Sequence, residues 1–316
     1  VTEASLKSDS LRSLDATSQI RLLDPLLINQ IAAGEVVERP ASVIKELVEN
    51  ALDAGATQID IKAREGGKTF LSVRDNGRGI HKDQLSLALE RHATSKIPDN
   101  DLFNIHTFGF RGEALAAISA ISRLTLISRT TQDEHAWQIA HNDTSPSPTQ
   151  APHGTLIEVR DLFYATPARL KFMKATTYEF SAISDIIEKF ALANPNVGFR
   201  LFHNDKISLD FKANQSLEQR LNTIAGKDFS ESSIFVDYSG EGISFNGFIG
   251  LPTYNFGQSH KQAFFVNGRP VKDKLLQVAL KVAYSDFLAK DRHCAAYLFL
   301  TLDPAYVDMN VHPAKT

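Results

Sequence analysis

The stretch Pro40–Gly55, PASVIKELVENALDAG, constrains the fold more than any other segment. Glu46 and Asn50 stand four residues apart, so a helix puts a carboxylate and a carboxamide on one face, one turn from each other. Ile44, Leu47, Val48, Ala51 and Leu52 form the opposing apolar stripe that docks such a helix on a core. Pro40 suits the first turn and Gly55 the stop. Taken alone, the polar side could simply face water. A carboxylate able to pull on a water, beside an amide oxygen able to hold a hard cation, is also a minimal kit for nucleoside-triphosphate hydrolysis.

Two later segments bear on that choice. Asp75-Asn76-Gly77-Arg78-Gly79-Ile80 directly follows a predicted strand. As an isolated hexapeptide it reads as a turn, because Asn-Gly favours positive φ. Its second glycine also lets backbone approach a flat ligand, while the strand-end Asp75 can accept an exocyclic amine proton. In Gly109-Phe110-Arg111-Gly112 two glycines flank the mouth of a predicted helix, where free N–H groups make a phosphate cradle. Thr94, Ser95 and Lys96 offer hydroxyls and a cation in an irregular stretch that could form a lid. Gly66-Gly67-Lys68-Thr69 mimics the end of a Walker A loop, but Lys62 stands where that pattern needs glycine. The segment reads instead as a hairpin turn.

Composition narrows the class. With 316 residues, 43% hydrophobic and 22% charged, the chain can bury the cores of two domains. A net charge of −3 gives no global case for nucleic acid, so DNA contact would need a local basic surface. Cys294 is the one cysteine, and the ten histidines form no HExxH or paired-ligand pattern; neither a disulfide framework nor a structural transition metal is expected. No apolar run approaches the roughly 18 residues that cross a bilayer. The chain reads as cytosolic: cytoplasmic in a bacterium, nuclear in a eukaryote.

Residues 1–19, rich in Ser, Asp and Thr, read as a mobile arm. The pattern beyond them predicts helices over 83–91, 113–121, 178–193, 216–225 and 273–288. Strands are predicted over 58–63, 69–74, 124–128, 154–159, 199–202, 207–211, 234–238, 243–249, 262–266 and 295–302, and residues 143–152 as a surface loop. The pattern restarts near residue 214, which divides an α/β domain over 20–214 from a smaller domain over 215–316. The ending Val311–Thr316 suggests a piece of something longer.

The order Glu46-x-x-x-Asn50, Asp75-x-Gly77-x-Gly79, Gly109-x-x-Gly112 and Gly154-Thr155 resembles the GHKL ATPase superfamily. That superfamily holds gyrase-type topoisomerases, heat-shock chaperones, histidine kinases and the MutL mismatch-repair family. NQIAAGEVVERP at 29–40, residues 91–97 and 109–115, FYATPAR at 163–169, VNGR at 266–269 and residues 311–315 are similar to MutL signatures, covering roughly residues 20–316. Ala165 stands where that family usually has Asn.

The resemblance implies a Bergerat-type α/β sandwich with a mixed sheet, followed by a ribosomal-protein-like α+β domain. It implies Glu46 as general base, Asn50 as the protein ligand to magnesium, and Asp75, with Thr155, at the adenine edge of an ATP pocket. Asp53, Gly77 and Gly79 would belong to the same pocket, Thr94, Ser95 and Lys96 to a lid, and Gly109, Phe110, Arg111 and Gly112 to the phosphate wrap. Lys315 would reach the γ-phosphate. ATP would dimerise the chain into a clamp that binds DNA without sequence preference and couples a mismatch-recognition protein to a downstream nuclease or helicase. Arg169, Lys171, Lys174, Arg269, Lys272 and Lys274 are the candidate DNA contacts. No endonuclease activity is expected of this segment. A topoisomerase ATPase subunit, or a DNA-binding scaffold with a vestigial ATP site, are the alternatives.

Overall fold

A computed structural model describes residues 22–96, 107–109 and 112–303. The arm at 1–19, Phe110, Arg111 and Lys315 lie outside the described residues.

Helix α1 (Pro25–Val36) leads into α2 (Pro40–Asp53), which begins on Pro40 and stops where Gly55 turns to φ +75°. Proline at the first turn forfeits an N–H that would have had no partner, and glycine takes the left-handed turn without strain. Ile44, Leu47, Val48 and Ala51 are buried as the stripe predicts, together with Val43, while Leu52 is half-buried. Each large aliphatic side chain there contributes about 1.5–3 kcal/mol. The Arg39 guanidinium, donating twice to Glu179 at 3.0 and 2.8 Å, ties the start of α2 to α6 (Thr176–Ala193), the long helix that follows α4 (Ala114–Ile121) and α5 (Pro167–Leu170).

An eight-stranded sheet runs in the order β5-β4-β3-β6-β2-β1-β7-β8. Its strands are β1 (Gln58–Arg64), β2 (Phe70–Asp75), β3 (Arg123–Arg129), β4 (Ala136–Ala140), β5 (Ser147–Thr149), β6 (Gly154–Arg160), β7 (Gly198–His203) and β8 (Lys206–Phe211). Only β1 and β7 pair in parallel; the sheet is mixed. Period-2 alternation sends Ile59, Ile61, Leu71, Val73, Leu124, Leu126, Ile157 and Val159 into the core under the helices. On the other face Lys62 and Arg74 are exposed, and Phe70 is covered by the guanidiniums of Arg64 and Arg160, 5.5 and 4.8 Å from its ring centre. Glu65–Gly67 is a tight turn between β1 and β2, the hairpin reading of the Walker-like decoy.

Beyond β8, α7 (Leu217–Ala225) and α8 (Lys227–Glu231) precede a five-stranded sheet ordered β13-β12-β15-β10-β9. Its strands are β9 (Ser233–Gly240), β10 (Ile243–Gly250), β12 (Gln262–Val266), β13 (Arg269–Val271) and β15 (Ala296–Leu302), with α9 (Lys274–Ala283) alongside; β11 (Asn255–Phe256) and β14 (His293–Cys294) form a separate ribbon. Helix α6 serves both bodies. Its Ile183, Ile187, Phe190 and Ala191 enter the first core, and Leu192 packs with Leu221, Phe229 and Phe265 in the second.

Some local expectations change. Residues 83–91 form one α-turn, α3 (Lys82–Leu85), then a 3-10 turn at Leu87–Leu89, which brings Ala88 and Leu89 against the core. Within the expected loop 143–152, β5 pairs with β4; Pro148 fits because β5 is an edge strand. The helix expected to reach residue 288 ends at Ala283, where the buried Tyr284 hydroxyl donates to the Gly250 carbonyl at 2.6 Å and redirects the chain.

Candidate active site

Three neighbouring strands end their buried series in a polar residue at one level of the sheet. Leu71 and Val73 are followed by Asp75, Leu124 and Leu126 by Ser128, and Val159 and Ile157 by Thr155. The register aligns Asp75 with Thr155 and Thr155 with Ser128. Ser128 Oγ lies 3.0 Å from Thr155 Oγ1 and accepts the Ile80 N–H at 2.8 Å, while Asp75 accepts the Gly77 N–H at 2.8 Å. Burial raises the Asp75 carboxyl above its ordinary range, opposed by the N–H groups of Gly77 and Thr155 and by His153. Gly79 sits at φ +75°, and a Cβ there would strike the Arg129 carbonyl, so the turn after Asp75 hugs β3.

Asp75 and Thr155 of this row stand in one wall of a cavity of about 840 Å³, and α2 forms another. Glu46, Asn50, Asp75, Gly79, Thr94, Ser95, Lys96, Gly109, Gly112 and Thr155 all line it. Gly77 lies behind the wall, where a Cβ would press on Ala54. Asp53 also stands behind, organising two loops: it accepts the Phe108 and Gly109 N–H groups at 2.9 and 3.3 Å and the Lys96 ammonium at 2.6 Å. Lys96 Nζ also donates to Asn50 Oδ1 at 2.7 Å. A cation therefore already rests on the carboxamide oxygen expected to hold a metal. Among the described residues no group of three His, Cys, Asp or Glu side chains could hold a metal. A hard cation here would take most of its oxygens from a bound phosphate and water, which suits magnesium.

Sequence reasoning passed over several residues in the wall and one, Ser128, behind it. Lys45 Nζ stands 3.6 Å from Glu46 and 3.5 Å from Glu49. Glu49 is buried and its carboxyl is pushed up to about 7, chiefly by burial and further by Glu46, against Lys45 and Arg269. Ser128 had a usable signal, a polar residue in the inward series of an otherwise apolar strand. Arg269 had none, because its place depends on how the second body meets the first.

The expected DNA contacts divide. Arg269 lies in the cavity wall, donating to the Thr107 carbonyl. Arg169 is half-buried and donates to the Val37 carbonyl at 2.8 Å. Lys171, Lys174, Lys272 and Lys274 are exposed, with Lys174 Nζ 4.0 Å from the centre of the Tyr178 ring.

Residues 38–158 match the family of histidine kinase-, DNA gyrase B- and HSP90-like ATPases, and residues 221–316 match the C-terminal domain of DNA mismatch repair proteins. The DNA mismatch repair protein MutL of Paramagnetospirillum magneticum is 50% identical over 304 residues, 94% of this chain and 50% of that protein. The Aquifex aeolicus MutL ATPase domain complexed with ADP shares 30% identity at a TM-score of 0.66, over 85% of this chain and 94% of that one. The chain belongs to the MutL family of DNA mismatch repair proteins. The MutL of Brucella anthropi is 51% identical over 94% of this chain and 48% of its own length, so the chain spans about half the length of these curated relatives. The crystal structure of the N-terminal domain of a DNA repair protein superposes at a TM-score of 0.77 with 26% identity, over 91% of this chain and 90% of that one. The mixed sheet under its helices is thus the GHKL ATPase fold of MutL, and a smaller α+β domain follows it. Among the described residues, no helix is long and apolar enough to cross a membrane.

Proposed function

We propose that the cavity binds ATP with magnesium and hydrolyses it slowly, and that ATP occupancy switches the chain between monomer and dimer. One observation carries the reading: Glu46, Asn50, Asp75 and Thr155, scattered over 110 positions of sequence, share one cavity of nucleotide size. Asp75, supported by Thr155, accepts the adenine amino group. Glu46 orients and deprotonates the attacking water. Asn50 Oδ1 holds the metal, which when bound neutralises charge on the phosphates. The amides from Gly109 to Gly112, including Phe110 and Arg111, wrap those phosphates, while Thr94, Ser95 and Lys96 belong to a lid. By family resemblance Lys315 reaches the γ-phosphate.

The ATPase domain spans residues 20–214 and the second domain 215–316, preceded by an arm over 1–19. ATP-driven dimerisation makes the chain a clamp on DNA that couples a mismatch-recognition protein to a downstream nuclease or helicase. The exposed Lys171, Lys174, Lys272 and Lys274 supply sequence-independent phosphate contacts, whose affinity falls steeply with salt. Sizing the chain with and without a non-hydrolysable ATP analogue tests the switch. A shift from monomer to dimer is expected; a monomer in both states would contradict the clamp.

A further inference from the structure

Arg269 reaches its place through a short, rigid chain of structure. Asn267 and Gly268 adopt φ +48° and +78°, the tight turn that folds β13 back on β12, with Val266 opposite Arg269. The turn is pinned to β15: Asn267 N–H donates to the Leu300 carbonyl at 2.9 Å, and its side chain exchanges two 3.0 Å bonds with Leu302. From this fixed tip the Arg269 side chain crosses to the first body. There it donates to the Thr107 carbonyl, with its guanidinium 5.4 Å from the centre of the Phe108 ring. Thr107, Phe108 and Gly109 are also tied together and held by α2, because Thr107 Oγ1 donates to the Gly109 carbonyl at 2.8 Å and the Phe108 and Gly109 amides donate to Asp53. Burial works against the guanidinium charge, and the carboxylates of Glu49 and Asp53 favour it.

We infer that Arg269 is a positioning residue of the ATP site: from the second body it fixes the Thr107–Gly109 backbone where that segment meets the phosphates. This rests on the reading of the cavity as an ATP site. Arg269 is half-buried, and its guanidinium is committed to a carbonyl and a ring in the cavity wall. The arrangement also ties the conformation of the phosphate segment to the seating of the five-stranded sheet. A shift of the second body would therefore be felt at the phosphates.

The test compares the wild-type chain with Arg269→Ala and Arg269→Lys, using the exposed Arg64→Ala as a charge control. Three quantities are read: steady-state hydrolysis of magnesium ATP, salt-dependent DNA binding, and amide exchange at Phe108 and Gly109. For Arg269→Ala, KM for ATP should rise about tenfold to a hundredfold, since a charge-assisted bond to the segment is lost. The Phe108 and Gly109 amides should exchange faster, and the salt slope of DNA binding should not change. Arg269→Lys should recover part of the KM, because an ammonium can donate to Thr107 but cannot cover the ring as a planar guanidinium does. Wild-type KM and exchange in Arg269→Ala would overturn the inference, as would a reduced DNA salt slope with unaltered ATP kinetics. A wild-type chain that neither binds nor hydrolyses ATP would instead remove the ATP reading itself, and this inference with it.

Discussion

Replacing Glu46 with alanine is expected to leave ATP affinity within about threefold of wild type and to cut turnover by a hundredfold or more, on the order expected for a general base. The geometry separates the two effects. Glu46 lies on the cavity side of α2, its side chain 21% exposed, whereas the helix is held by the buried Val43, Ile44, Leu47, Val48 and Ala51. Truncation therefore leaves the helix and the Asp75–Thr155 row in place. Its nearest ionic partner, Lys45, stays paired with Glu49. Calorimetric titration of ATP and a phosphate-release assay on both proteins check this. Equal turnover would remove Glu46 from the chemistry; loss of binding would make it a binding group.

The second large effect concerns stability. Arg220→Met should destabilise the chain by about 3–5 kcal/mol, a fall in melting temperature on the order of 10 °C. Arg220 is fully buried, and no carboxylate is among its hydrogen-bond partners. Instead the guanidinium donates to four backbone carbonyls: Ala191 at 3.1 Å, Pro195 at 3.0 Å, Val197 at 3.1 Å and Lys212 at 2.6 Å. Burial lowers its pKa to about 10, which still leaves it charged at neutral pH. These four carbonyls belong to the end of α6, the turn into β7 and the exit from β8, so one side chain closes the junction where α7 begins. Methionine keeps the bulk and removes every donor, leaving buried acceptors unsatisfied. The exposed Arg64–Asp205 pair at 3.0 Å is a useful contrast; such a pair is worth about 0–1 kcal/mol, and Arg64→Ala should barely move the melt. Thermal unfolding followed by circular dichroism measures both, and a melting point for Arg220→Met within 2 °C of wild type, about the effect of a single kcal/mol or less, would refute the assignment.

The parts of the site that are local in sequence were legible there. The apolar stripe of α2, Pro40 and Gly55 define a helix whose polar side must hold Glu46 and Asn50 together. Asp75 was readable as a carboxylate ending a strand. Ser128 could have been found from alternation, but only register shows that it stands beside Thr155. Arg269 was read as a basic surface residue because sequence carries its charge and not its contacts; the turn at Asn267-Gly268 was visible, and the body it faces was not. Arg220 was invisible for a related reason. Its partners are carbonyls, which every residue has, so no complementary charge marks it. The helix expected over 83–91 and the loop expected over 143–152 failed where tertiary packing overrode local pattern, through the core contacts of Ala88 and Leu89 and the edge pairing of β5.

The most direct measurement is phosphate release from ATP by the wild-type chain, followed with magnesium and again after the metal is chelated. A cavity with Glu46 over the water and Asn50 on the metal predicts slow release that stops when magnesium is removed. Equal release under both conditions, or none under either, would contradict it.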